Sequence, residues 1–329
     1  MIGGVIMLDK GVELVKALVS PCEKLIESVE GAIGKLYEPR HMRRMSDAKA
    51  YEIEKIGQAI RENCDMPMLY KNGEILVNNE NVDNFIQRTK NRFVYQQLVK
   101  QQNIEAVLDK AYNELENEKN VINEPIDKDW MLRFVNNIED ISNEEMQLLW
   151  AKIIAGEIKR PKTFSLRTLE VLHNISIDEA KLFQKIAPYI IKRGKNLFFP
   201  NYDLLFKLSK IKYDDILKLN EIGLINSSGM LVLEITITKE KTAFMKNKDY
   251  IITTSLDNAE STMISIQQYP LTQVGIEIID LFETKEDNEF FIQFARQLKN
   301  LVKNVNVSVY KILEENDKYV KHDDNDLIA

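Results

Sequence analysis

Apolar residues recur every three or four positions over long stretches of the first half of the chain, the spacing that lines one face of an α-helix. The first stretch covers residues 12–36, where Pro21 either kinks a single helix or begins a second one with Ser20 as its N-cap. Another covers residues 81–117 without proline or glycine and predicts one helix on the order of 50 Å long. A helix of that length usually crosses a whole bundle or dimerises.

Helix-start signals are frequent between residues 127 and 195. Ser142 with Glu145, and Ser176 with Glu179, have the spacing of a capping box, in which a serine and a glutamate side chain each accept a hydrogen bond from the other residue's backbone amide. Apolar residues follow both serines at helical spacing. These signals predict several short helices packed as a bundle.

The pattern changes after about residue 196. Two helical segments are followed by alternating apolar residues at Leu231, Leu233, Ile235 and Ile237, which predict a strand, and two further strand patterns come next. Two helices followed by such a β wing resemble a winged-helix module.

These patterns together predict a mainly α-helical protein, a helical bundle with a long helix followed by a winged-helix-like α/β C-terminal portion. We divide the chain into four parts: an N-terminal helical and oligomerisation region (1–120), a central capped helical bundle (127–195), a winged-helix-like module (196–285), and a C-terminal helix, strand and acidic tail (286–329).

Composition fits a globular protein with room for two or three cores: 329 residues, 44% hydrophobic and 29% charged. The net charge of -7 gives no chain-wide reason to bind nucleic acid or an anionic membrane. Cys22 and Cys64 lie far apart and predict neither a disulfide framework nor a thiolate zinc site, which suits a reducing cytoplasm. No segment has the order of a secretory signal or the apolar length of a membrane-spanning helix.

One region is basic although the whole chain has a net negative charge. Residues 181–250 contain thirteen lysines and arginines against seven carboxylates. The candidate nucleic-acid contacts are Lys192, Arg193, Lys195, Lys207, Lys210, Lys212, Lys246 and Lys248. However, Asp214, Asp215 and Glu221 occupy the helix that a winged-helix protein would lay in the major groove, and they would face phosphate. The charge pattern therefore favours a protein partner, and nucleic-acid binding is the alternative.

A second basic cluster, Arg40, Arg43 and Arg44, lies beside the 12–36 stripe. It is either a solvated connector or a patch for an anion or a lipid headgroup. The stripe itself could lie in a bilayer interface, but its polar face has more glutamate than lysine. Packing in a bundle or at a homodimer seam is therefore favoured over a membrane partner.

Glu157 is the most conspicuous candidate for chemistry, because it lies on the apolar face of its own helix. A buried carboxylate is costly unless paired, and Arg167 in the next helix is a natural partner for a structural ion pair. No second carboxylate, metal ligand or nucleophile stands at a telling distance, so no catalytic residue is assigned. Three histidines and the absence of common phosphate, zinc and nucleophile motifs predict neither metal nor cofactor.

Four segments carry a resemblance to a known bacterial family, the domain of unknown function 2806: Trp130, LLWAKIIAGEIKRPKTFSLRTLEVLHNISIDEAKLF (148–183), YPLTQVGIEII (269–279) and LYEPRHMRRMSDAKA (36–50). This resemblance implies no reaction. A looser likeness of layout to the abortive-infection alpha proteins implies a setting in phage defence or stress response. We therefore expect a non-enzymatic interaction or regulatory protein that forms homo-oligomers.

Overall fold

A computed structural model describes residues 5–7, 18–34, 68–71, 74–77, 85–227, 229, 231–238, 243–256, 260–282, 287–302, 305–316 and 319–328. The chain divides into two compact units. We call residues 15–169 the helical unit, and residues 1–14 together with 170–329 the sheet unit. The finer division into four parts stays a prediction.

Ten α-helices lie in the described part of the chain: α1 (Pro21–Ile33), α2 (Phe85–Leu115), α3 (Lys128–Ile138), α4 (Glu144–Lys159), α5 (Leu166–Asn174), α6 (Ile177–Ile186), α7 (Asp203–Ser209), α8 (Tyr213–Glu221), α9 (Gln273–Ile278) and α10 (Asn288–Leu301). Short 3₁₀ turns follow α6 at Ala187–Tyr189 and α9 at Ile279–Leu281.

The core of the helical unit lies between α1, α2, α3 and α4. Its fully buried side chains include Leu25, Val29, Leu108, Ala111, Leu115, Phe134, Ile138, Trp150, Ile153 and Ile154. The rings of Trp130 and Phe134 stack with centroids 5.4 Å apart, and Phe134 meets Trp150 edge to face. The apolar stripe of α1 is therefore used inside the unit, at Leu25 and Val29.

The long helix is confirmed, whereas the first stretch is confirmed only in part, because Leu18–Val19 form a short strand before the helix begins. The helix α1 begins at Pro21, with Ser20 in the N-cap position. The helix α2 runs unbroken for 31 residues. The buried apolar residues described in this helix lie in its second half, and the helix packs mainly against α4, whereas Phe93 in its first half is 62% exposed. None of the helices in the described ranges is long and apolar enough to cross a membrane.

The described strands are β1 (Val5–Met7), β2 (Leu18–Val19), β3 (Met68–Lys71), β4 (Glu74–Val77), β5 (Val121–Ile122), β6 (Ile191–Arg193), β7 (Asn196–Pro200), β8 (Leu231–Thr238), β9 (Ala243–Lys246), β10 (Tyr250–Leu256), β11 (Ser261–Pro270), β12 (Val305–Glu315) and β13 (Tyr319–His322). In the helical unit β2 pairs with β5 and β3 pairs with β4, both antiparallel.

The sheet unit is built on one nine-stranded sheet with the order β1-β13-β12-β10-β9-β6-β7-β11-β8. Its pairings are antiparallel. The pair β9–β10 is nested in sequence between the paired strands β8 and β11. Its tip, at Asn247–Tyr250, lies beside β6, because Lys246 is the cross-strand neighbour of Lys192. The β8–β11 ribbon thus continues into a second ribbon that joins the same sheet.

The predicted fold class, a mainly α-helical protein with a winged-helix-like C-terminal portion, is therefore wrong. The predicted helices and strands of the C-terminal portion largely exist, and β7, β11 and β8 do lie side by side, but they are part of a large antiparallel sheet. Alternation of apolar residues identifies a strand without identifying its neighbour. Here β12, β13 and the N-terminal β1 extend the sheet. No local sequence pattern predicts which strands these three pair with.

Aromatic side chains form the core between α10 and the sheet. Phe290, Phe291 and Phe294 of α10 are buried, and Phe294 meets Phe198 of β7 with ring centroids 6.3 Å apart. Phe199 of the same strand lies 5.8 Å from Phe290. Large rings buried in this way dominate the energy of a small core.

Candidate functional sites

The side chain of Glu157 binds the loop that follows α4. Its side chain is 3% exposed, and its carboxylate accepts hydrogen bonds from the backbone amides of Lys162 at 2.6 Å, Thr163 at 3.0 Å and Phe164 at 3.1 Å. Amide donors compensate a buried carboxylate in the way that an ion pair would. The loop after α4 is therefore fixed by this side chain.

Two other residues from the segments that resemble the family, Trp130 and Gly156, contact the same loop. The indole Nε1 of Trp130 donates to the carbonyl of Phe164 at 2.8 Å. The ring of Phe164 packs on Gly156, where an added Cβ would lie 2.8 Å from Cε2 of that ring. We call Trp130, Gly156, Glu157 and the loop 160–165 the α4 joint. Its contacts are those of a structural element.

Arg167 lies at the start of α5 and is exposed, while Glu157 is buried. The described hydrogen bonds that we assign to the Glu157 carboxylate run to backbone amides. The ion pair between these two residues stays a prediction.

Lys24 is a buried cation that the sequence did not single out. Its side chain is 3% exposed, and Nζ donates to the carbonyls of Ile158 at 2.8 Å and Ile122 at 3.0 Å. It thereby binds a carbonyl in the last turn of α4, where the helix dipole favours a cation. In the sequence a lysine between apolar positions of an amphipathic helix is indistinguishable from a solvated one.

The helices α7 and α8 expose apolar side chains on their outer surface. Leu204 and Leu208 of α7, and Tyr213 and Leu217 of α8, are each spaced four residues apart, so each pair lies on one face of its helix. All four are exposed, Tyr213 to 54%. We call these four exposed side chains the α7–α8 face.

The two helices that carry the α7–α8 face also contain charges of both signs. Residues 203–221 contain four lysines (Lys207, Lys210, Lys212 and Lys218) and four carboxylates (Asp203, Asp214, Asp215 and Glu221). Asp215 is occupied locally, since it accepts from the Lys212 amide and pairs with Lys185 at 3.4 Å. Asp214 and Glu221 are exposed. Three of the candidate nucleic-acid lysines therefore lie in a segment that contains as many carboxylates as lysines.

Three other candidate lysines meet at a cavity of about 190 Å³ in the sheet unit. Lys192 of β6, Lys246 of β9 and Lys248 of the ribbon tip line it together with the polar residues Asn247, Asp280 and Glu315, and the remaining lining is apolar. Pairing of β6 with β9 brings Lys192 and Lys246 together. We call this the lysine-lined cavity.

Asn247 shapes the ribbon tip and leaves one donor unused. Its Oδ1 accepts from the amides of Asp249 at 3.0 Å and Tyr250 at 2.7 Å, which fixes the turn. The side chain is 7% exposed, and its Nδ2 is buried with no hydrogen-bond partner among the described residues. A buried donor of this kind is normally satisfied by protein, water or ligand.

The other two candidate nucleic-acid contacts, Arg193 and Lys195, lie outside the cavity lining. Arg193 follows Lys192 on β6 and is half-buried, and burial lowers the pKa of its guanidinium group from its ordinary value. Lys195 is exposed in the turn between β6 and β7, where Gly194 has a φ of 57°. The basic cluster of Arg40, Arg43 and Arg44 lies outside the described residues.

No group of three or more histidine, cysteine or carboxylate side chains is placed to hold a metal ion within the described ranges. The thiol of Cys22 is buried, and desolvation raises its pKa. A raised thiol pKa disfavours the thiolate, which is the nucleophilic form.

The fold defines a protein of two units, one mainly helical and one built on a large antiparallel sheet. Residues 87–295, more than half of the chain, match the family described as protein of unknown function (DUF2806). The chain belongs to this family, and the resemblance predicted from its sequence is confirmed. Neither the curated proteins nor the solved structures yield a match.

Proposed function

We propose that this protein is a non-enzymatic interaction protein that works as an assembly of its own copies, joined through the α7–α8 face. The observation that carries the proposal is the exposure of Leu204, Leu208, Tyr213 and Leu217 on two helices that are consecutive in sequence. Large apolar and aromatic side chains at the centre of a surface, with charges around them, are typical of protein interfaces.

A second copy is the partner that the charges favour. A two-fold contact joins the same surface of both subunits, so that surface must complement itself. Exposed Lys207 and Lys218 lie near exposed Asp214 and Glu221 on α7 and α8. A two-fold partner offers carboxylates to these lysines and lysines to these carboxylates, whereas nucleic acid offers only negative charge.

Size-exclusion chromatography with light scattering tests this contact. We expect the wild-type chain to form dimers between roughly 1 and 100 µM, a range that brackets a micromolar Kd. Leu217→Asp should give monomers, because it places a charge at the centre of the contact. Met263→Asp is the matched control, since Met263 is equally apolar and 54% exposed but lies on β11.

Three outcomes decide the proposal. Dimers that dissociate with Leu217→Asp and persist with Met263→Asp support the α7–α8 face. A wild-type chain that is monomeric throughout this range overturns it. Dimers that Leu217→Asp leaves intact and Phe93→Asp dissociates would move the contact to the long helix α2, as its length predicted from the sequence.

The biological setting is a further part of the proposal. Its support is the layout likeness to the abortive-infection alpha proteins, which suggests phage defence or stress response. Plating of phages on bacteria that produce the wild type, or Leu217→Asp at an equal level, tests the setting. Protection that needs the wild-type α7–α8 face supports it, and equal plating on both strains and on an empty host contradicts it.

A further inference from the structure

We propose that the lysine-lined cavity binds a small organic oxyanion of the size of a phosphate monoester. This site is separate from the α7–α8 face and needs no second copy of the chain. Three lysines line a cavity of about 190 Å³ there.

The donors of the cavity differ in what already occupies them. Lys246 forms an ion pair with Glu315 and is largely buried. The ammonium group of Lys192 is exposed and has no hydrogen bond or ion pair within the described part of the chain. The Nδ2 of Asn247 is buried and unpaired against the described residues. An oxyanion in the cavity would accept from Lys192.

The size of the cavity limits the ligand. At roughly 30 Å³ for each water molecule, the cavity holds about six waters. Pockets for drug-sized ligands are larger, roughly 300–1,000 Å³. The cavity therefore suits one anionic group with a few carbon atoms attached.

The charge of the lining favours a single anion over a nucleic-acid strand. Three lysines stand against two carboxylates, Asp280 and Glu315, which leaves the lining a net charge of +1. One oxyanion is attracted by this balance. A run of phosphates extending out of the cavity would meet Asp280, which is exposed.

Isothermal titration calorimetry with inorganic phosphate and glycerol 3-phosphate, at constant ionic strength, tests the proposal. Lys192→Gln should weaken binding roughly tenfold or more, because it removes a charged donor. Asn247→Asp should do the same, because its carboxylate keeps the acceptor that fixes the turn and adds a negative charge to the lining. Lys195→Gln is the matched control, since it removes the same charge from a nearby turn outside the lining.

The outcomes separate a cavity from a diffuse basic surface. Binding that falls with Lys192→Gln and persists with Lys195→Gln supports the cavity. Absence of binding up to about 10 mM, ten times a millimolar Kd, overturns the proposal. Equal weakening by both lysine variants also overturns it, as does binding of duplex DNA without binding of either phosphate. If Asn247→Asp unfolds, Lys192→Gln decides alone, because Lys192 is exposed.

Discussion

Replacement of Glu157 by glutamine tests whether the α4 joint holds the helical unit together. The glutamine side chain has the same shape, but it offers one carbonyl oxygen in place of two carboxylate oxygens. In the wild type one oxygen accepts from Lys162, and the other accepts from Thr163 and Phe164. One of the two positions therefore becomes an amide nitrogen that faces a backbone N–H.

The expected loss follows from these three bonds. An unsatisfied buried donor costs about 1–3 kcal/mol, and a hydrogen bond to a charged acceptor is worth roughly twice one to a neutral acceptor. The Lys162 amide is near solvent and recovers part of its loss from water. We therefore expect Glu157→Gln to lower the free energy of unfolding by roughly 2–4 kcal/mol.

Tryptophan fluorescence during urea unfolding reports on this unit specifically. The chain has two tryptophans, and Trp130 and Trp150 are both buried in the helical unit. The change in midpoint at constant slope gives the change in the free energy of unfolding. Unfolding of the sheet unit contributes no tryptophan signal.

Arg167→Ala is the matched comparison. Because Arg167 is exposed, its removal should change the free energy of unfolding by about 0.5 kcal/mol or less. The reasoning is refuted if Arg167→Ala costs about 2–4 kcal/mol while Glu157→Gln costs little, since an ion pair would then hold the joint. A Glu157→Gln variant that unfolds like the wild type and loses a biological activity would make the joint a functional site.

Other substitutions test the packing and the charges of both units. An added Cβ on Gly275 would lie 2.2 Å from a backbone carbonyl oxygen, so Gly275→Ala should lower stability by roughly 3 kcal/mol in a thermal melt. Gly31→Ala meets nothing within 4 Å and should raise stability by about 0.5–1 kcal/mol. Because burial raises the pKa of Cys22, iodoacetamide should modify this thiol far more slowly in the native than in the urea-unfolded chain at pH 8, as measured by peptide mass spectrometry. Glu315→Gln frees Lys246 and should tighten phosphate binding several-fold in calorimetry, and unchanged affinity would show that Lys246 does not reach the anion.

Local signals predicted the helices well, and one failure among them is instructive. Ser176 and Glu179 form the predicted capping box, with both reciprocal hydrogen bonds present. The predicted box at Ser142 is wrong, because Asn143 caps α4 and accepts from the amide of Met146. Asparagine is as good an N-cap as serine, so two adjacent capping residues leave the helix start uncertain by one position.

The sites depended on contacts that local signals do not contain. The candidate lysines were recognised by charge, but only the pairing of β6 with β9 shows that Lys192 and Lys246 share a cavity that excludes Lys195. Strand pairing over a long stretch of sequence is set by the whole sheet. The buried Lys24 was missed for the same reason, since its acceptors lie on distant segments.

Two sets of residues have different roles. Glu157 and Gly156, in the segments that resemble the family, hold the fold, whereas Lys192 belongs to the proposed binding site. The Glu157 carboxylate accepts hydrogen bonds from three backbone amides. A side chain at Gly156 would collide with the ring of Phe164. Such residues are required by the fold, so their presence identifies the fold and implies no chemistry. Lys192 is exposed and contributes little to any core. Because the fold can form without this charge, Lys192→Gln tests anion binding at the cavity separately from folding, just as Leu217→Asp at an exposed position tests self-association separately from folding.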